Sequence, residues 1–281
     1  MWLTHGTSKA PKLVHGRFSN RSWLETVAGE QLTPKFKLVD AYRDNGFILY
    51  TTSVGHFLCH VMQSGIIYQD SVPNGDISLQ KVDEHMYKLV YLSYIWKVSL
   101  FTDAGKLIND DYTCVRRMNN ELCATQKGGK YGFIDGDANV IVQFKYNEVS
   151  DFNDSGYAIV TYDDGKSTVI DKKGNELFAP INAYRMEFLT PELLKANMRC
   201  AGVGVVDLTG KEIIPCVYRD LWIRSGHIHV TYQNKCGLFA MDGTVEFECM
   251  YPEIIETPDK FVVQDFNKIE IPKIKEVPKH T

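Results

Sequence analysis

Short apolar stretches recur along the chain, most of them with a glycine-bearing turn near the middle. YGFIDGDANVIVQF (131–144) carries two adjacent apolar residues, Phe133-Ile134, then an acidic turn, then a second apolar run. The same order appears in VSLFTDAGKLINDD (98–111), STVIDKKGNELFAP (167–180), VGVVDLTGKEIIPC (203–216) and CGLFAMDGTVEFEC (236–249). SWLETVAGEQLTPK (22–35) fits more loosely, and HVMQSGIIY (60–68) is the weakest member. Runs this short, bounded by turn residues, predict strands rather than helices. Adjacent apolar residues on a strand point to opposite faces, so both faces must be covered and the sheets must stack on one another.

The turn residue sets a register: Gly29, Gly65, Gly105, Ala138, Gly174, Gly210 and Gly243, spaced by 36, 40, 33, 36, 36 and 33 residues. A near-fixed period of this size marks a solenoid, propeller or array. Six residues before the turns stand Trp23, Cys59, Ser99, Gly132, Thr168, Gly204 and Gly237. A mostly small residue at one fixed place predicts that another backbone or a ring packs close there. After most turns comes an aromatic (Phe36, Tyr112, Tyr146, Tyr218, Tyr251) with an apolar residue three later (Val39, Val115, Val149, Leu221, Ile254). A further strand closes each unit: GFILY (46–50), YKLVYL (87–92), ELCAT (121–125), YAIVTY (157–162), HIHVTY (227–232) and FVVQDF (261–266). Residues 190–195, TPELLK, carry a helix-start signature, but the register makes them part of a closing strand.

The reading is an all-β protein of seven tandem units of 33–40 residues. A propeller-like ring is preferred and an open curved β-solenoid is the alternative. Residues 1–22 form a basic segment that includes a closing strand, 23–267 hold the repeats, and 268–281 hold an opening strand and a basic tail. Displaced ends of this kind suit a ring in which the last strand completes the first unit, which also removes exposed sheet edges.

Lys130-Tyr131-Gly132-Phe133-Ile134-Asp135, followed by Tyr146, Val149 and Phe152 and then Gly156-Tyr157-Ala158, resembles the WG (KWG) β-repeat. The similarity is clear over 96–266 and degenerate over 23–95. The Trp of the Trp-Gly pair is absent from every Gly-bearing unit; Tyr131, Val203 and Cys236 stand there instead. The resemblance implies an all-β repeat scaffold that serves as an interaction surface. It implies no catalytic residue and no common ligand.

Composition changes the picture little. Apolar residues are 44%, charged residues 23% and aromatics 12%, which is globular and leans towards strands. No apolar run of 18 or more residues occurs and the start lacks a signal-peptide core, so a soluble, cytoplasmic or intracellular protein without a membrane span is expected. Seven Cys, an odd number without CxxC spacing, predict buried free thiols. The net charge of −4 divides into +4 for 1–22, +2 for 268–281 and −10 for the body. The acidic body argues against nucleic-acid binding, and the basic ends suit docking to other proteins.

Candidate chemistry is sparse. Asp135-Gly136-Asp137-Ala138-Asn139 begins like a calcium loop, but Val140 and Tyr146 stand where an EF-hand needs Gly and Glu, so Asp135 and Asp137 read as turn residues. On a strand, His56 and His60 share one face and Cys59 takes the other, so at most two of the three can meet a metal. His227 and His229 share a strand face without a third ligand at local spacing. Lys127-Gly128-Gly129-Lys130 lacks the Walker spacing. The acid pairs Asp110-Asp111 and Asp163-Asp164 read as turn residues. No catalytic residue, metal or cofactor is assigned. The expected function is a non-catalytic protein-interaction or scaffold module, in one version a structural subunit of a large viral or cellular assembly. The alternatives are a propeller-type enzyme acting on glycans and a lectin-like module using Trp222 and Tyr232.

Overall fold

The structure, a computed structural model, describes residues 11–44, 47–60, 67–70, 77–91, 97–103, 105–258, 260–264 and 268–272. Every regular element among them is a β-strand, as the sequence predicts. The turn expected at Gly65 lies outside the described residues. The chain divides into two units, 1–145 and 146–281.

In the first unit, β1 (Lys12–His15) and β2 (Ser22–Glu25) form an antiparallel hairpin. Next, β3 (Leu38–Asp44), β4 (Phe47–Thr52), β5 (Gly55–His60) and β6 (Tyr68–Asp70) form a four-stranded sheet. Then β7 (Ile77–Lys81), β8 (Met86–Tyr91), β9 (Lys97–Thr102), β10 (Leu107–Asn119), β11 (Leu122–Lys127), β12 (Lys130–Ile134) and β13 (Val140–Tyr146) run as one seven-stranded meander.

The second unit holds four sheets. They are β14 (Glu148–Val149), β15 (Tyr157–Thr161) and β16 (Ser167–Asp171); β17 (Ala183–Phe188), β18 (Leu193–Met198), β19 (Val203–Asp207) and β20 (Glu212–Tyr218); β21 (Asp220–Arg224), β22 (His227–Tyr232), β23 (Lys235–Ala240) and β24 (Val245–Tyr251); and β25 (Glu253–Glu256), β26 (Lys260–Gln264) and β27 (Lys268–Pro272). Strand order follows chain order in every sheet.

The paired apolar residues do what alternation demands. Val206 packs with Val169, Leu194 and Ala196, while its neighbour Val205 packs with Ile214, Leu221 and Ile228. Phe239 joins that second core, and Leu238 turns to Ile254, Phe261 and Val263. Leu100 and Phe101 divide in the same way between two cores of the first unit. Within the second unit, the β17–β20 and β21–β24 sheets thus each give one face to the sheet before and one to the sheet after.

The small residue before the turn answers to a bulge in the fourth strand. Val203 pairs with Tyr218 and Val205 with Ile214, so four steps of β20 oppose two of β19. The extra backbone folds over Gly204, where an added Cβ would sit 2.5 Å from the Ile214 carbonyl oxygen. Gly237 faces the same bulge in β24, with Cys249 Sγ within 2.7 Å of such a Cβ, and at Gly132 the Val142 carbonyl oxygen comes within 2.5 Å.

Three readings are corrected. Asp110 and Asp111 do not lie in a turn; they lie within β10, where shifts of register against β9 admit them to the strand. Cysteines are free as expected, but only Cys59, Cys123 and Cys216 are buried, and Cys200 is exposed. Of residues 190–195, read as a closing strand, only 193–195 enter one, and 190–192 form the bend before it. Thr190 Oγ1 accepts hydrogen bonds from the backbone N–H of Glu192 and Leu193, and the cap leads into β18 rather than a helix.

Candidate functional site

The acidic turns are self-contained. Asp135 Oδ1 accepts the backbone N–H of Asp137 and Asn139 at 2.9 and 2.8 Å, and Oδ2 accepts the Asn139 side-chain amide at 3.0 Å. Asp171 repeats the arrangement with Lys173 and Asn175. Asp207 repeats it with Thr209 and Lys211. Partial burial opposes the charge of each carboxylate, but these hydrogen bonds outweigh it and hold all three below the usual range. Asp137 supplies only a backbone donor to this turn.

His56 is fully buried in β5. Its Nδ1 stands 3.0 Å from Thr51 Oγ1 and its ring meets Tyr91 edge-on. His60 ends the same strand opposite Phe47; its side chain lies outside the described residues. Beside His56 lies a polar network that local spacing does not reveal. The Tyr68 hydroxyl donates to Asp70 at 2.9 Å and meets Tyr91 Oη at 2.7 Å and Ser99 Oγ at 3.1 Å. Lys97 Nζ closes it on Asp70 at 3.0 Å. Burial raises the pKa of both tyrosines, which keeps their hydroxyls protonated. The network ties β6, β8 and β9 together.

His227 and His229 do share one face of β22, and the structure brings them acids from two later strands. His227 Nδ1 lies 2.9 Å from Glu256 and its Nε2 lies 3.3 Å from Glu246, while His229 Nε2 lies 3.8 Å from Glu256. The Glu256 side chain is 1% exposed. Burial pushes His229 towards its neutral form, Glu256 opposes this, and Arg224 adds to it. Trp222 stacks flat on His229 with centroids 5.5 Å apart, so one face of its ring is occupied. Both nitrogens of His227 face carboxylates. Among the described residues no group of three or more His, Cys, Asp or Glu is arranged to hold a metal ion. Glu246 and Glu256 were invisible to local spacing because they arrive from other strands.

The second unit also carries an open cleft of about 490 Å³. Tyr184 of β17, Tyr218 of β20 and Tyr232 of β22 stand around it with Val217, Arg219 and Gln233. Tyr218 meets Phe239 edge-on at 5.7 Å on its inner side and Tyr232 edge-on at 6.4 Å on its outer side. A ladder of rings thus runs from the core to the surface, where Tyr232 is 43% and Tyr184 58% exposed. Gly202 shapes the wall: a Cβ there would come within 2.7 Å of Tyr218 O, so the β20 backbone can close in. Trp222 is not among the residues lining this cleft.

The family described as "WG containing repeat" matches residues 131–166 and 204–225, so these segments are WG repeats. No curated protein matches the sequence. Solved structures with a similar trace include the computationally designed Ika8 protein, at 9% identity and TM-score 0.36, covering 96% of this chain and 98% of that one. Hsv2 of Kluyveromyces lactis is 9% identical at TM-score 0.36, covering 80% and 89%. Apo AztD of Citrobacter koseri is 10% identical at TM-score 0.40, covering 84% of each chain. Likenesses of this extent carry no functional argument. No helix among the described residues is long and apolar enough to cross a membrane.

Proposed function

We propose that the chain is a non-catalytic protein-interaction module built of β-repeats, with the Tyr184–Tyr232 cleft as its contact face. The carrying observation is the cleft itself: exposed aromatic rings and an exposed Val217, anchored through Tyr218 to the core, surround its opening. Rigid aromatics beside an aliphatic wall are the residue types that dominate protein contacts. Asp135 and Asp171 support this reading, since both carboxylate oxygens of each bond within their own turn.

A photo-crosslinking side chain placed at position 232 tests the reading in a lysate of the source cells. A discrete protein adduct from position 232, absent from position 209 in the far turn, supports it. Equal or no adducts from both positions count against it. In a finer version the chain is a structural subunit of a large assembly, docked through its basic end segments 1–22 and 268–281. Because Lys12–His15 and Lys268–Pro272 are strands, that version is tested by charge reversal at Lys9 and Arg17 rather than by deletion. Loss of co-elution with a large particle supports it, and unchanged elution overturns it.

A further inference from the structure

We infer that the cleft takes a proline-rich, acid-bearing peptide in the extended polyproline conformation; the inference rests on the interaction reading above and names its partner class. Three observations lead there. First, the rings are ridges. Tyr184 and Tyr232 project into solvent and Tyr218 stands between the outer ring and the core. Pyrrolidine rings fit between such ridges, and a polyproline helix loses little conformational entropy on docking.

Second, β20, one of the two edge strands beside the cleft, has two neighbouring positions that cannot donate to an added strand. β20 ends its sheet, but Pro215 has no N–H and the Cys216 N–H is taken by Glu212 Oε1 at 2.5 Å. The strand is also bulged against β19. Along these two positions a partner is read through its side chains and not through a β ladder.

Third, the charge is one-sided. Arg219 is the one charged residue among the described residues that line the cleft. It is held at the mouth by Asn234 Oδ1 at 3.2 Å. A carboxylate complements it, whereas a sugar needs acidic or amide acceptors, and Gln233 is the one amide in the lining.

The test is fluorescence anisotropy of the full chain with three labelled decapeptides: proline-rich with two Glu, proline-rich with two Lys, and a Gly/Ala/Glu peptide of the same charge as the first. The acidic proline-rich peptide should bind tightest. Tyr232→Ala and Tyr184→Ala should each weaken it by about tenfold, and Arg219→Glu should weaken it while improving the Lys peptide. Both tyrosines are surface residues, and far-UV circular dichroism checks the fold of each variant. Equal binding of the proline-rich and Gly/Ala acidic peptides overturns the inference. So does unchanged binding by the tyrosine variants. If the peptides fail while position 232 still crosslinks a protein, the interaction reading stands and the proline-rich class falls. If both fail, both fall.

Discussion

His227 Nδ1 stands 2.9 Å from a Glu256 carboxylate that is almost wholly removed from solvent. The contact joins β22 to β25 and so fastens the last sheet to the one before it. Glu256→Ala removes the acid from between two imidazoles. We expect a loss of about 3 kcal/mol, the range for breaking a buried charged contact, measured by urea unfolding.

Acid should loosen the same place through His229. Burial, its largest influence, holds its pKa below the ordinary 6.5. The folded state therefore binds fewer protons than the unfolded state. The contribution to stability is complete above about pH 6.5 and is lost as pH falls through the lowered value. The unfolding midpoint should fall between pH 7 and pH 5, and His229→Gln should flatten that slope. An identical slope in the variant would remove His229 from the explanation.

The turn carboxylates act in a lower window. Asp207→Ala deletes the acceptor of Thr209 and Lys211 and should cost about 1 kcal/mol. Its pKa is lowered because hydrogen bonds outweigh partial burial, so its support is full above about pH 4 and fades on further acidification. Calcium at millimolar levels should leave the melting temperature unchanged, since the Asp135 oxygens already serve the turn. A calcium-dependent rise would reverse that assignment.

Ala138 occupies the turn position that glycine holds in the other described repeats, at a φ of 62°. An L-residue with a Cβ is strained there. Ala138→Gly should stabilise the protein by about 0.5–1 kcal/mol, read as a higher denaturant midpoint.

The bulge glycines should rank by what surrounds them. A Cβ at Gly204 meets the Ile214 carbonyl oxygen at 2.5 Å and Cys216 Cα at 2.7 Å, both backbone atoms. At Gly237 the nearest atom is Cys249 Sγ at 2.7 Å, the end of a side chain that can move. Gly204→Ala should cost about 2–3 kcal/mol and Gly237→Ala less. The reverse order in thermal unfolding would mean that the β20 bulge yields more easily than the β24 bulge.

The fold was legible because its signals are local and repeated. Val205-Val206 and Leu238-Phe239 announce two-sided burial by themselves, and Gly204 and Gly237 announce the close backbone approach. The repeat also overruled the helix-cap signature of Thr190, since a hydroxyl two or three residues before two N–H groups serves a turn as well as a helix. The candidate sites were less legible. Glu256 reaches His227 from another strand, and Tyr184 and Tyr218 come to the cleft from separate strands of one sheet. Period and register carry no record of such meetings. Asp110 and Asp111 misled because a bulged strand tolerates the residues that turns prefer.

One difference between the repeats has a consequence for the chain's history and mechanics. At three other junctions a single residue, Asn147, Arg219 or Pro252, separates the last strand of one repeat from the first of the next. At β10 that break is missing, and 13 unbroken residues serve both β9 and β11. A repeat can be gained, lost or peeled away at the single-residue joints without cutting a strand. The pair sharing β10 has no such joint, so it can be inherited, and pulled apart, only as one piece.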